Sequence, residues 1–349
     1  MKQRAVILTL VAVLILLVPT LLGCGEKAPY GPAQVNFPED EGAHPEYGME
    51  WWYLNATVSD NEGHQYTAML AYFNKKSPRP PLKIISIADL DAEVFYHEVP
   101  TVWDLVAAQP VYAEEKLDLR WDDYDRWYRT DEDSYHYSLQ AKGDLIGFTF
   151  DLSQDKDPLM VGGDGLIDWT EGSTYYYSLT RLQVDGQIEI KGEIIDVAGI
   201  GWMDHQWMED MAEKGWQWFS IQLDDKTDII CWNICDLDGT VQSSDLTMML
   251  ANGSIYHTTD IELEAADTWM SPDTDQTYGM TWTLREPKRD LDLEIQTRFP
   301  EQEIILLKEV PQYTWHIWEG GTTVSGQIDG SPVSGVGYAE LVPRIVVAG

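Results

Sequence analysis

The stretch that decides the fold is Tyr175-Tyr176-Tyr177-Ser178-Leu179-Thr180-Arg181-Leu182-Gln183-Val184-Asp185-Gly186-Gln187-Ile188-Glu189-Ile190-Lys191-Gly192-Glu193-Ile194-Ile195-Asp196. Two runs that alternate at a period of two, Tyr175 to Val184 and Gln187 to Asp196, flank Asp185-Gly186, a dipeptide favoured in tight hairpin turns. Alternation at two is what a strand needs when one face is buried, because successive side chains point to opposite sides. Towards the N-terminus the same pattern fills Glu50 to Val58, turns at Asp60-Asn61-Glu62-Gly63 and returns over Gln65 to Phe73. It recurs over Ser134 to Ala141 and Leu145 to Leu152. Towards the C-terminus it restarts at Trp216 to Leu223, turns at Asp224-Asp225, and continues over Ile229 to Asp236 with a turn at Asp238-Gly239. Further strands are predicted within Asp260 to Glu264, Met280 to Leu284, Leu291 to Phe299, and Trp315 to Leu341 around a turn at Asp329-Gly330. Short strands joined by tight turns predict an all-β chain of antiparallel barrels or sandwiches. The best helical candidates, Leu105 to Lys116 and Met208 to Lys214, are both short.

The two halves open alike. Glu50-Trp51-Trp52-Tyr53 and Trp216-Gln217-Trp218-Phe219 each begin with an aromatic strand that leads to an acidic turn. This predicts a duplication, two β-barrels in tandem. A single large sandwich is the alternative, but more than 300 residues is long for one antiparallel core. The expected division is 1–23 as a signal peptide, 24–40 as a Pro- and Gly-rich tether, 41–207 as the first barrel and 208–349 as the second.

The chain starts with Lys2 and Arg4, an apolar run from Ala5 to Leu22, and Leu21-Leu22-Gly23-Cys24. A basic start, an apolar stretch and a small residue before the cut make a secretory signal. The cysteine directly after it resembles the bacterial lipobox, in which the thiol is acylated. Cys24 is therefore the expected lipidation site, and the protein is expected at the cell envelope, outside the cytoplasm and anchored to the membrane by that lipid. An uncleaved membrane helix is the competing reading of the apolar run.

The 59 acidic and 23 basic residues give a formal charge of −36, and removal of Lys2 and Arg4 takes it to −36 − 2 = −38. Such a surface repels phosphates and anionic lipid headgroups, which argues against nucleic acid as a partner. Cys231 and Cys235, four residues apart on one strand, would lie about 13 Å apart at ~3.3 Å per residue. That is too far for a disulfide, so both are expected as buried thiols. The histidines His44, His64, His97, His136, His257 and His316 show no metal-ligand spacing, and no metal or cofactor is expected. No nucleophile elbow or phosphate loop is present.

Fifteen Trp and eighteen Tyr stand against seven Phe. Trp and Tyr carry a polar handle that needs a partner when buried, so a pure core would favour Phe and Leu. The alternation of these aromatics within strands favours a lined cavity that takes a small apolar ligand. Carbohydrate stacking is the alternative use.

Gly48-Met49-Glu50-Trp51-Trp52-Tyr53, Gly201-Trp202-Met203-Asp204-His205-Gln206-Trp207, Gly215-Trp216-Gln217-Trp218-Phe219, Trp318-Glu319-Gly320 and Gly335-Val336-Gly337-Tyr338-Ala339-Glu340 occur in that order. In order and spacing these blocks resemble the AttH/carotenoid 1,2-hydratase family, over about residues 40 to 345. The resemblance implies two lipocalin-like domains. It also implies cofactor-free addition of water across an isoprenoid double bond: an acid protonates the alkene, and water captures the tertiary cation. In those hydratases a His-x-Trp pair and, one strand later, a Tyr-x-Asp pair are thought to form the site. His205-Gln206-Trp207 matches the first pair. Trp232-Asn233-Ile234 falls at the second, with Ile234 where the proton-donating Asp should stand; Asp236, two residues on, is the candidate substitute.

The expected site is therefore a cavity near the joint with His205 and Trp207 at its wall, Asp204 behind them and Asp236 as the acid. Glu50, Trp51, Trp52, Tyr53, Trp216, Trp218 and Trp232 are expected as ligand-binding neighbours. Asp204-His205 reads equally as a buried polar network that fixes the joint. Glu50 reads also as a carboxylate bonded to strand N–H groups or an indole, and Glu319 and Glu340 read as structural beside interior glycines. A monomer that hydrates a prenyl- or polyene-like ligand, a carrier that binds one unchanged, and an envelope lipoprotein with a filled core are the three functional expectations.

Overall fold

The computed structural model describes residues 35–75, 80–154, 156–169, 172–209, 214–236, 239–310 and 314–343. Cys24 and the expected signal segment lie outside these residues. The chain is nearly all β, in two antiparallel sheets. Across the first sheet the strands run Val94–Glu98, Leu82–Asp89, Gln65–Lys75, Met49–Ser59, Glu193–Met208, Gly172–Ile190, Ile146–Gln154, Tyr135–Lys142, Arg126–Asp131, Asp118–Arg120 and Val111–Tyr112. Across the second they run Ile255–Thr258, Val241–Met249, Asp228–Cys235, Gly215–Leu223, Ser331–Val342, Trp315–Ile328, Leu291–Thr297, Thr277–Glu286 and Glu262–Met270. Within each sheet the opening strand sits between its hairpin partner and the last long strand of that half, the topology that a duplication predicts.

The decisive stretch forms strands, but its turn lies elsewhere. Gly172–Ile190 is one strand that passes straight through Asp185-Gly186, and the chain reverses at Lys191-Gly192 instead. Both turn residues have the positive φ that a two-residue hairpin needs, 51° and 86°. Gly186 answers a different demand: a Cβ there would lie 2.0 Å from the Thr149 carbonyl oxygen of the neighbouring strand. Asp329-Gly330 is a turn as expected, with φ of 51° and 71°.

Of the expected helices, the first shrinks to a single short one, Val102–Ala107, closed by a capping box between Thr101 and Asp104. After it the chain forms the edge strand Val111–Tyr112. The second begins inside a strand at Met208, and residues 210–213 lie outside the described residues. No helix among the described residues is long and apolar enough to cross a membrane.

Each sheet curls around a filled interior. In the first half Trp52, Leu54, Ala56, Tyr72, Trp127, Phe150 and Tyr177 pack together; in the second Phe219, Ile221, Cys231, Leu293 and Trp318 do so. Cys231 and Cys235 are buried free thiols. A third apolar cluster joins the halves through the opposite faces of the same strands, with Tyr53, Met69, Tyr176 and Trp202 against Trp218, Ile230, Trp232 and Tyr338. Here Arg181 forks onto the buried Asp228 at 2.9 and 2.5 Å, with Lys156 at 2.6 Å and Thr180 at 2.9 Å. Loss of Arg181 would leave Lys156 as the cation facing that carboxylate and remove two of its hydrogen bonds. Gln222 donates across the joint to the carbonyls of Thr180 and Gly201. The joint is therefore a packed, hydrogen-bonded seam.

Candidate active site

Successive residues of a strand face opposite ways, and at Glu193–Met208 this separates two sets of chemistry. Trp202, Asp204 and Gln206 face the seam, whereas Met203, His205 and Trp207 face the interior of the first sheet. The wall expected for the site is thereby inverted: Asp204 lines the inter-sheet cavity and His205 and Trp207 lie behind it.

That cavity, about 100 Å³, is bounded from the first half by Trp51, Tyr53, Tyr176 and Asp204, and from the second by Trp216, Trp218, Trp232, Ile234, Glu319 and Glu340. Its position between the sheets, not inside a barrel, follows from the filled interiors. The lining is mainly apolar; its polar groups are the carboxyls of Asp204, Glu319 and Glu340, the Lys75 ammonium, the Gln206 amide and the tyrosine hydroxyls, with Asp204 and Glu319 buried and Glu340 half-buried. Cavities of about 150 Å³ hold benzene, so this one suits the end of an apolar chain.

In the first half Asp204 lies directly across from Tyr53 and is held from its own sheet. Ser178 Oγ and Trp202 Nε1 each donate to Oδ1 at 2.6 Å, and the Tyr176 hydroxyl donates to Oδ2. Trp218 Nε1 in turn donates to the Tyr176 oxygen at 3.0 Å. Burial pushes the Asp204 carboxyl up, and the three donors pull it back, to about 6.

In the second half Glu340 lies across from Trp218 on one side and Glu319 on the other. Trp216 Nε1 donates to Glu340 at 2.5 Å, and the Tyr53 hydroxyl crosses the seam to Glu319 at 2.9 Å. Burial raises the Glu319 carboxyl well above the usual carboxylate range, and the charge of Glu340 raises it further. Burial raises Glu340 to about 7, while hydrogen bonds from Trp216 and Glu319 limit the rise. Burial thus favours the protonated form of Glu319, which hydrogen-bonds to Glu340. Two carboxyl groups that share one proton are a natural acid.

The other sequence candidates divide by face. Trp51, Tyr53, Trp216, Trp218 and Trp232 line the cavity; Trp52 and Glu50 do not. Trp232 and Ile234 both face it, so the place where the hydratase pattern carries an acid is here an apolar wall. Asp236 stands beyond the end of its strand, after a bulge between Ile234 and Cys235, and pairs with Lys214 at 2.6 Å, away from the cavity lining. Glu50 accepts the backbone N–H of His44 at 3.0 Å, from a loop and not a strand, and the Asn74 amide at 3.3 Å. It also meets two imidazoles, His44 Nδ1 at 2.8 Å and His205 Nε2 at 2.9 Å, where an indole was the alternative.

A family model described as AttH-like matches residues 28–343. Among solved structures, that of a protein assigned as AttH from Nitrosomonas europaea is 26% identical, with a TM-score of 0.77, covering 91% of this chain and 100% of that one. Kievitone hydratase from Nectria haematococca is 19% identical, with a TM-score of 0.72, covering 91% of this chain and 95% of its own. CghA in complex with Sch210972 is 10% identical, with a TM-score of 0.54 and coverage of 90% and 97%. The last two likenesses are of fold. No curated protein matches in sequence.

Proposed function

The chain belongs to the AttH-like family, and on that premise we propose that its inter-sheet cavity binds the end of a prenyl-like chain and adds water to it without a cofactor. One observation carries the reading: a hydrogen-bonded carboxyl pair, Glu319 with Glu340, both raised by burial, opens onto an aromatic-lined apolar cavity. Glu319, or the proton it shares with Glu340, protonates the terminal alkene and leaves a tertiary carbocation. The faces of the lining Trp residues stabilise such a cation, by roughly 0.5–2 kcal/mol each. Water adds to the cation, and Asp204, ionised above about 6, accepts the proton the water loses. The product is a tertiary alcohol, and the proton balance closes when Asp204 returns its proton through solvent.

In the hydratases that the sequence resembles, the acid is placed where Ile234 stands, so in this chain the Glu319–Glu340 pair takes that role. His205 lies on the far face of the strand that holds Asp204, outside the cavity lining, and takes no part in this reaction. Anchoring through Cys24 to the outer face of a membrane is part of the same proposal, since an apolar ligand is most concentrated there.

Purified protein incubated with a prenyl alkene in deuterated water tests the chemistry. The expected product carries one solvent deuteron and a new hydroxyl, and the rate falls on both sides of a maximum between pH 6 and 7. Absence of product sinks the enzymatic reading. Ile234 in the acid's place favours a second reading, a carrier; quenching of tryptophan fluorescence by the same alkene without turnover would establish it.

A further inference from the structure

The interior of the first sheet carries a second polar cluster that the proposed reaction does not use. His44, Glu50 and His205 each offer one ligand atom, all within 4.8 Å of one another. Glu50 and His205 are fully buried and His44 largely so. Two features distinguish this cluster from a chance contact.

The first is what holds the far side of each imidazole. His44 turns Nδ1 to Glu50 and Nε2 towards the Asp40 carboxylate, at 3.4 Å. His205 turns Nε2 to Glu50 and Nδ1 to the Tyr177 hydroxyl, at 3.3 Å, with the Asp40 backbone also bonded to the ring. Metal-binding histidines are oriented in this way, the outer nitrogen engaged by a carboxylate, carbonyl or hydroxyl so that the inner one faces the ion.

The second is rigidity. Trp207 stacks on His44 with ring centroids 4.0 Å apart and planes 6° apart, and Trp52 stacks on His205 at 4.7 Å. The segment that carries Asp40 and His44 is itself pinned. The Trp52 indole donates to the Glu41 carbonyl at 3.0 Å, and Arg129 pairs with the Glu41 carboxylate at 2.7 Å. Beside this cluster the Tyr112 hydroxyl is buried with no hydrogen-bond partner among the described residues; its ring packs on Trp52, and the Glu50 carboxylate adds to the effect of burial in keeping it protonated.

We propose that His44, Glu50 and His205 form a binding site for a divalent transition-metal ion of the zinc class, separate from the inter-sheet cavity. Two imidazoles and one carboxylate suit zinc and its neighbours, while hard ions such as calcium prefer all-oxygen sets of six or more. The close N···O contacts part by a few tenths of an ångström to admit the ion, since zinc ligands sit about 2.0–2.2 Å from the metal. Such a site ties the N-terminal segment through His44 to two central strands, Met49–Ser59 and Glu193–Met208.

The intact protein, stripped with a chelator and titrated with Co²⁺, tests this. The expected result is one Co²⁺ per chain with the visible absorption of a four-coordinate N/O site, displaced by Zn²⁺, and a thermal midpoint several degrees higher with Zn²⁺ than without. Glu50→Gln should abolish the absorption. Asp40→Asn, which keeps all three ligands and lies at the partly exposed rim, should weaken binding about 10–100-fold. The acidic surface will hold some cation in any case, so Co²⁺ uptake that shows no such absorption, or that Glu50→Gln leaves unchanged, overturns the proposal. So does Asp40→Asn with wild-type affinity. Because the readout is metal binding, the result is independent of whether the cavity turns over an alkene.

Discussion

The two halves of the molecule solve the same local problem differently. Each opening strand sets an aromatic ring against an acid on the strand that closes its sheet: Tyr53 against Asp204 in the first half, Trp218 against Glu340 in the second. On the far side of Asp204 stands Ser178; on the far side of Glu340 stands Glu319. Three neutral donors surround Asp204 and give it good reason to be an anion. Glu340 has one indole and a second carboxyl, and such a pair is stable at neutral pH only if it keeps a proton. One substitution across a cross-strand pair, hydroxyl for carboxyl, separates a base from an acid.

The largest way to break this contrast is Glu319→Gln. The amide keeps the shape and the donor of a neutral acid but holds no transferable proton. Turnover of a prenyl alkene should fall about 10²–10⁴-fold, while the urea midpoint barely moves. A variant that remains active would show that the pair is not the acid.

Next in size is a pH effect on stability. Glu340 titrates near 7 in the folded chain against an ordinary 4.5. A pKa raised by folding gives stability that is complete below 4.5 and lost as pH climbs through 7, worth about 3 kcal/mol at most. Asp204 adds a smaller loss of the same sign between 3.8 and about 6, and Glu319, also raised, adds to the decline above 4.5. Denaturant titrations from pH 4 to 8 should show the decline, and Glu340→Gln should make it shallower; an unchanged slope would contradict the assignment.

Asp204→Asn sharpens the contrast from the other side. An amide oxygen cannot satisfy all the donors that converge on the carboxylate, so stability should drop by about 1–3 kcal/mol. Equilibrium unfolding reads this directly, and a neutral result would mean that the donors find other partners. The smallest effect belongs to Trp216→Phe. It removes one donor from Glu340, raises that carboxyl and should move the alkaline limb of the rate profile upwards by less than about one pH unit.

Much of this was legible in the sequence, and the misses have physical reasons. Strand alternation and the Asp329-Gly330 turn were readable because local preference and long-range pairing agree there. At Asp185-Gly186 they conflict. Pairing continues on both sides, to Phe150–Asp151 and Val197–Ala198, and outweighs the turn preference of two residues. The His205-Gln206-Trp207 motif was visible, but adjacent residues on a strand face opposite ways, and only the packing of the halves says which face borders the seam. The Glu319–Glu340 pair was missed although a signal existed. A two-residue turn at Asp329-Gly330 pairs Ile328 with Ser331, and counting back along that register sets Glu319 opposite Glu340. His44, among scattered histidines, gave no such clue, because its approach to Glu50 depends on how residues 39–48 cross the end of the first sheet.

The closure of each sheet by its final strand has a kinetic consequence. Met49–Ser59 waits for Glu193–Met208, and Gly215–Leu223 for Ser331–Val342, before either is flanked on both sides. Contacts so distant along the chain demand loop-closure entropy before any reward, which makes for slow folding. Until translation delivers Ser331–Val342, Gly215–Leu223 is a bare, apolar edge ready to recruit another chain. Nascent or truncated molecules should therefore be the aggregation-prone ones, and the completed chain far less so.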